Sequence, residues 1–169
     1  MSTEGFEALR LSVLESGAED ARIIPVKDVV VAEWPRWKCR FGCPRYGTNL
    51  MCPPNSPTAE ETRRLLKEYE YAILAKYDSN KYDHAVLIEL ERRTFLSNLP
   101  KALVLGFGKC RLCNECNTGG NCVHPEEARP SMEACGIDVF TTARNAGYEM
   151  TVKTSKDQSY SPFCLLLLR

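Results

Sequence analysis

Cys110, Cys113 and Cys116 follow one another at i, i+3 steps in "KCRLCNECNTGGNC", and Cys122 closes the stretch. Their polar neighbours Arg111, Asn114, Glu115 and Asn117 argue against burial of all these sulfurs as inert packing. Three thiolates on one tight turn can reach three corners of a cubane, with the intervening amides free to donate to cluster sulfur. The ferredoxin run has this triple spacing. A structural zinc site more often draws on two separated pairs of Cys or His, so an iron–sulfur cluster is the leading expectation and zinc the alternative. The gap from Cys116 to Cys122 is longer than in the ferredoxin run, and in two-cluster ferredoxins the fourth cysteine serves the other cluster.

A second set, Cys39-x3-Cys43-x8-Cys52, could supply that other cluster. Cys43-Pro44 and Cys52-Pro53 repeat the Cys-Pro step of the ferredoxin run. Cys135, in "SMEACGID", is an eighth candidate ligand, and its competing reading is a small buried hydrophobe. Eight thiolates would serve two [4Fe-4S] clusters, whereas seven would leave one iron with an open or non-cysteine position. His124 is the nearest candidate for that position, although it reads more simply as a loop histidine bonded to backbone. Cys164, inside an apolar run, reads as core.

Charge near the first set is biased. Arg36, Lys38, Arg40 and Arg45 lie between Trp34 and Pro54 with no acid among them. Cations and amide donors stabilise an anionic metal–thiolate centre and raise a cluster's potential, though such a bias also fits a solvated basic face. Arg40, Arg45, Tyr46, Lys109 and Arg111 are the candidate cofactor-holding residues around the ligands. Trp34 and Trp37 read as packing covers over the loop. Glu126, Glu127 and Glu133 could move a proton but also fit a helix N-terminus, and Ser131 reads as a cap. "GFGKC" lacks a full dinucleotide or phosphate-loop pattern, so no nucleotide cofactor is expected.

Periodicity gives the elements that must position these groups. Phe6, Leu9 and Val13 predict a helix over 4–16, with Thr3 as cap and Gly17 as stop. "ARIIPVKDVVVAEW" predicts a strand interrupted near Pro25, and "RWKCRFGCPRYGTNLMCPPNSP" a long irregular loop. Thr58 and Glu61 form a capping-box pair opening a helix, "YAILAKY" is a buried strand, and Tyr82, Val86 and Leu90 share one face of a helix over 82–96. "KALVLGFG" is a strand that delivers the chain into the cysteine loop. Ser131 and Asp138 cap a short helix and a longer one, which Gly147 ends. "YEMTVKT" and "YSPFCLLLLR" predict a hairpin across the turn "SKDQ". The expected fold is α/β or α+β: a single mixed sheet flanked by helices, with two cysteine-rich loops at one end, in one domain over 1–169.

The 169 residues suffice for a real core, so nine cysteines are not needed as staples. With 22 basic and 22 acidic residues, no global field recruits nucleic acid or an anionic membrane. No apolar run is long enough to span a bilayer, and the first residues lack a secretory pattern, so a soluble cytoplasmic protein is expected. In a reducing compartment an odd number of cysteines fits metal binding better than complete disulfide pairing.

"CRFGCPRYGTNLMCPPNSPTAEE" and "GKCRLCNECNTGGNCVHPEEARPSMEACGIDV" resemble the uncharacterised family of predicted cysteine-rich metal-binding proteins found mainly in anaerobic archaea and bacteria. The resemblance implies metal binding through Cys39, Cys43, Cys52, Cys110, Cys113, Cys116 and Cys122, with Tyr46-Gly47, Cys52-Pro53-Pro54 and "RPSMEACGIDV" as further motif positions. It implies no substrate. Three functions remain open: a one-electron carrier with a redox protein partner, an enzyme whose three-cysteine cluster leaves one iron open as a Lewis acid, and a zinc-stabilised interaction module.

Overall fold

A computed structural model describes residues 3–80, 83–155 and 160–169. A 3-10 turn at Thr3–Phe6 runs into α1 (Glu7–Glu15), and Gly17 at φ +100° ends it. β1 (Asp20–Pro25) gives way to a short 3-10 segment, and an isolated bridge joins Val31 to Ile137. The stretch 36–57 is not irregular throughout, as its Pro and Gly content suggests, because α2 (Trp34–Gly42) occupies its first part. Pro35 sits in the first turn, where its missing N–H is not needed, and Trp37 and Phe41 stack one turn apart with ring centroids at 5.5 Å.

α3 (Ala59–Leu66) opens on the capping box: Thr58 Oγ1 accepts the Glu61 amide at 3.2 Å and Glu61 Oε2 accepts the Thr58 amide at 2.7 Å. β2 (Tyr71–Lys76) follows, then α4 (His84–Leu96), capped by Asp83 through the Ala85 amide at 2.9 Å. Tyr82, assigned to that helix by periodicity, lies outside the described residues, as do Lys156, Asp157 and Gln158 of the "SKDQ" turn. β3 (Leu103–Leu105) precedes the second cysteine loop. Ser131 Oγ then accepts the Ala134 amide at 3.1 Å over a 3-10 turn (Glu133–Cys135), and Asp138 caps α5 (Val139–Asn145), which Gly147 at φ +83° ends.

The last strand, β4 (Phe163–Leu167), enters between β2 and β3, giving the order β1-β2-β4-β3. The sheet is single, as expected, but antiparallel throughout instead of mixed, because β4 runs against both neighbours. That placement also excludes the expected hairpin. With both edges of β4 taken, residues 148–154 form no strand. Tyr148 instead packs its ring on Phe163 with centroids at 5.0 Å and lies under the Arg22 guanidinium at 3.8 Å.

Alternation along the central strands divides the core. Leu74, Leu165 and Leu167 pack with Met132, Ile137 and Ala143 on one face of the sheet. Ile73, Leu166 and Leu168 pack with Phe6 of the first 3-10 turn, Val13 of α1 and Leu87 and Leu90 of α4 on the other. Among the described residues no helix is long and apolar enough to cross a membrane.

One half-buried ion pair locks β3 and the segment after the second cysteine loop onto α4. Glu91 Oε2 accepts the Val104 amide at 2.7 Å and Arg129 Nε at 2.9 Å, while Arg129 Nη2 meets Oε1 at 2.5 Å. Arg129→Met leaves a mostly shielded carboxylate without its cation and is expected to cost about 2 kcal/mol. Chemical denaturation measures it, and a loss below about 0.5 kcal/mol would show the pair to be mere surface charge.

Candidate metal centre

The segment "RPSMEACGIDV" is the joint that sets the two cysteine loops against each other. At its start, the Gly106 amide donates to Pro130 O at 2.9 Å and the Met132 amide to Gly106 O at 3.0 Å, which pinches the base of the loop over 107–130. At its end, Ala32 N–H donates to Gly136 O and Asp138 N–H to Val30 O, each at 2.8 Å, which fixes the chain entering α2. Gly136 has φ +81°, and a Cβ there would stand 2.9 Å from Ala59 Cβ, so only glycine lets α3 approach this turn.

Arg36 completes the joint from α2. Its Nη1 donates to Ser56 Oγ at 2.9 Å and to the carbonyls of Pro57 and Ala134, each at 2.6 Å. Ser56 Oγ also donates to Ala134 O at 2.8 Å. In sequence Arg36 is one of four cations in a basic stretch. Nothing there separates a carbonyl clamp from solvated charge, because its partners lie up to 98 positions away.

These ties bring the two loops together. Leu50 N–H donates to Cys116 Sγ at 3.3 Å, and Asn49 Nδ2 to Cys110 O at 3.3 Å. Burial, with the neighbouring thiols of Cys39, Cys43, Cys110 and Cys116 adding to it, pushes the Cys52 thiol up to about 11. Burial and then Cys116, Cys110 and Cys122 raise Cys113, while burial, Cys43 and Glu133 raise Cys39 against the opposing Arg36. The seven loop thiols are thus linked by their charges, with Cys52 influenced from both segments and Cys113 from its own. None is in a disulfide; Cys43 is exposed and the other six are half-buried.

Such an all-thiol donor set, with an amide already aimed at sulfur, suits a thiophilic metal. Among the described residues, no three Cys, His, Asp or Glu side chains stand close enough as they are to grip a metal ion.

Cys135 and Cys164 are each 1 % exposed and belong to opposite core clusters. The Cys135 carbonyl accepts Thr62 Oγ1 at 2.7 Å, burial pushes its thiol up to about 12, and the charges acting on it come from Arg36 and Glu133. His124 is exposed, and its carbonyl accepts the Glu127 and Ala128 amides in a turn. Arg40 lies over the Phe41 ring at 5.5 Å, Arg45 is exposed, and the Tyr46 amide donates to Cys43 O at 3.2 Å. Lys109 and Arg111 line a separate hollow of about 440 Å³ with Asp83, His84 and Glu89.

Glu126 and Glu127 are exposed. Glu133 differs: burial holds its carboxyl above the usual range, and its Oε2 is sealed from solvent without a hydrogen-bond partner among the described residues. Trp34 and Trp37 do not cover the loop. Trp37 is exposed beside Phe41, and Trp34 donates Nε1–H to Asp138 Oδ2 at 3.2 Å. Trp34 forms part of the wall of a cavity of about 1190 Å³, together with Cys39, Cys43, Phe107, Glu133 and Tyr160. No sequence signal announces this cavity, since its walls come from α2, the 3-10 turn, α5 and the approach to β4.

Asp138 carries both a helix cap and a cavity wall. Burial works against its charge, but the Thr141 amide and hydroxyl and the Trp34 indole hold its carboxyl below the usual range. That stability is present above the unfolded pKa and is lost as pH falls through the lower folded one. Asp138→Ala is expected to cost about 1 kcal/mol and to change tryptophan emission. Unchanged emission would mean that the indole is held by other contacts.

No curated protein and no solved structure gives a significant match. The family model described as "Predicted metal-binding protein (DUF2284)" matches residues 22–168, which takes in both cysteine loops, the joint and all four strands except the first two residues of β1. The chain belongs to that family of predicted metal-binding proteins.

Proposed function

We propose that the protein is an iron–sulfur protein of the reducing cytoplasm that carries one or two [4Fe-4S] clusters and passes single electrons to a partner. The observation that carries this reading is the meeting of the two cysteine loops at Leu50 N–H and Cys116 Sγ. A cluster, when bound, supplies one-electron redox chemistry. Cys110, Cys113 and Cys116, with Cys122, would hold one, and Cys39, Cys43 and Cys52 the other. Cys135 is the remaining thiol in reach of the joint, and His124 sits on the second loop. The Leu50 amide would donate to ligand sulfur. Arg36, with no carboxylate partner among the described residues, would favour the reduced, more negative state.

The outer face of α2 fits a redox partner. Trp37 and Phe41 are 58 % and 72 % exposed, Arg40 lies over Phe41, and Lys38 and Arg45 add positive charge, so the complementary partner surface is acidic and apolar.

Anaerobic quantification of iron, sulfide and zinc tests the centre. About four or eight irons per chain with equal sulfide is the expected result. Stoichiometric zinc without sulfide would replace it with a zinc-stabilised interaction module.

A second reading rests on the cavity. Cys39 and Cys43 are in its wall, so a small molecule could reach a three-cysteine centre from that side, and the protein would be an enzyme whose open iron acts as a Lewis acid. A cluster spectrum that changes on titration with candidate ligands is expected for the enzyme and not for the carrier.

A further inference from the structure

We propose that the cavity beside Cys39 and Cys43 is a binding site for a small organic anion with an apolar body, its charged head held at Lys38. The inference deepens the enzyme reading and rests on it only for contact between ligand and metal.

The cavity, at about 1190 Å³, is large enough to hold a metabolite-sized molecule. Most of its wall is carbon: Trp34 and Pro35 from α2, Val139 and Phe140 from α5, and Phe107 and Phe163 from the sheet side. Such walls take up an apolar body by removing its surface from water. They are also built elements. Trp34 is tied to Asp138 at 3.2 Å, Pro35 is buried, and Phe163 is 4 % exposed.

The helix shows why this face is distinct. Trp34 and Lys38, and Pro35 and Cys39, are two pairs four residues apart, so they form one stripe along α2 that lines the cavity. Trp37 and Phe41, also four apart, lie off that stripe and line no part of it. A proposed ligand thiol and a cation therefore share the lumen side of one helix.

Charge selects the class of ligand. Three lysines and two glutamates line the cavity. Lys76 is engaged with Glu19 at 3.3 Å, and Lys153 stands 5.0 Å from the Tyr160 ring. Lys38 is exposed and forms no ion pair among the described residues. Of the acids, Glu133 keeps Oε2 sealed from solvent, which leaves Glu149 as the exposed one. Among the described residues Lys38 and Glu149 are thus the exposed lining charges with neither an ion pair nor a ring contact, and of the two it is Lys38 that adjoins Cys39 on α2, so an anionic head placed there would bring the ligand to the metal side of the cavity.

The test is isothermal titration of the full chain, isolated anaerobically with its metal, against phenylacetate, its neutral isostere phenylacetamide and the cation phenethylamine. Phenylacetate is expected to bind at least about tenfold more tightly than either, and Lys38→Glu to remove most of that preference. Val139→Phe, which fills the lumen from α5, is expected to weaken all three probes alike. Absence of saturable phenylacetate binding up to about 10 mM, equal binding of the three probes, or an unchanged preference in Lys38→Glu would overturn the proposal.

The visible spectrum and the iron content of the same samples keep the two readings apart. Anion binding without a spectral change upholds the cavity and removes the open-iron reading. Anion binding to protein that holds zinc and no sulfide upholds the cavity and removes the iron–sulfur reading.

Discussion

Cys116→Ser is expected to lower the metal bound per chain by at least about half. Cys116 stands at the junction of the two loops. Its sulfur accepts the Leu50 amide at 3.3 Å, and its charge bears on both Cys52 in the first loop and Cys113 in the second. A serine hydroxyl at this position neither ionises near neutral pH nor matches a thiophilic metal, so the ligand is lost and the contact that aligns the loops is weakened with it. Cys164→Ser is the control. Cys164 is 1 % exposed within β4, so the variant buries a hydroxyl in a strand and is expected to lose about 1–2 kcal/mol while keeping its metal. Metal content and denaturation midpoint, measured on both variants, separate the two roles. Equal retention of metal would contradict the assignment of Cys116 as a ligand.

The contrast between these two cysteines was legible in the sequence, because polar neighbours mark one and an apolar run the other. The capping box at Thr58 and Glu61, the caps at Ser131 and Asp138, and the strands "YAILAKY" and "KALVLGFG" were legible for the same reason: each depends on residues within a few positions. What was not legible depends on distant partners. "YEMTVKT" alternates as a strand should, but alternation cannot reveal that β2 and β3 already occupy both edges of β4. α2 was hidden by Pro35, Gly42 and Pro44, although a proline in the first turn and a glycine at the end are compatible with a helix.

The candidate site divides along the same line. Cysteine spacing is a local property, and it makes the seven loop cysteines candidates. Their meeting depends on backbone ties between residues such as Gly106 and Met132 or Ala32 and Gly136, which carry no distinguishing side chain. The family resemblance falls partly on that joint, in "RPSMEACGIDV". Its residues bind no metal in the leading reading, apart from the candidate Cys135. The physical account of the motif is therefore positional: it holds the two cysteine-bearing segments at a fixed separation.

Arg36→Met tests that account directly. The guanidinium donates to Ser56 Oγ, Pro57 O and Ala134 O, so it ties α2, which carries Cys39, to the segment after Cys52 and to the joint. Methionine keeps much of the side chain's apolar stem and removes every donor, leaving Pro57 O dependent on whatever water can reach it and Ala134 O on Ser56 Oγ alone. The expected cost is about 3 kcal/mol of stability, with metal affinity in chelator competition lower by about tenfold, because the Cys39 and Cys52 segments lose their common anchor. Arg36→Lys restores the charge, but its ammonium sits on a shorter stem than the Arg36 Nη1 that makes these contacts, so it should recover only part of the affinity. Charge alone would predict full recovery in the lysine variant, and that result would reduce Arg36 to an electrostatic neighbour of the thiols. Unchanged stability and affinity in Arg36→Met would instead assign the clamp to the hydrogen bond from Ser56 Oγ to Ala134 O at 2.8 Å, which joins the same two segments without involving α2.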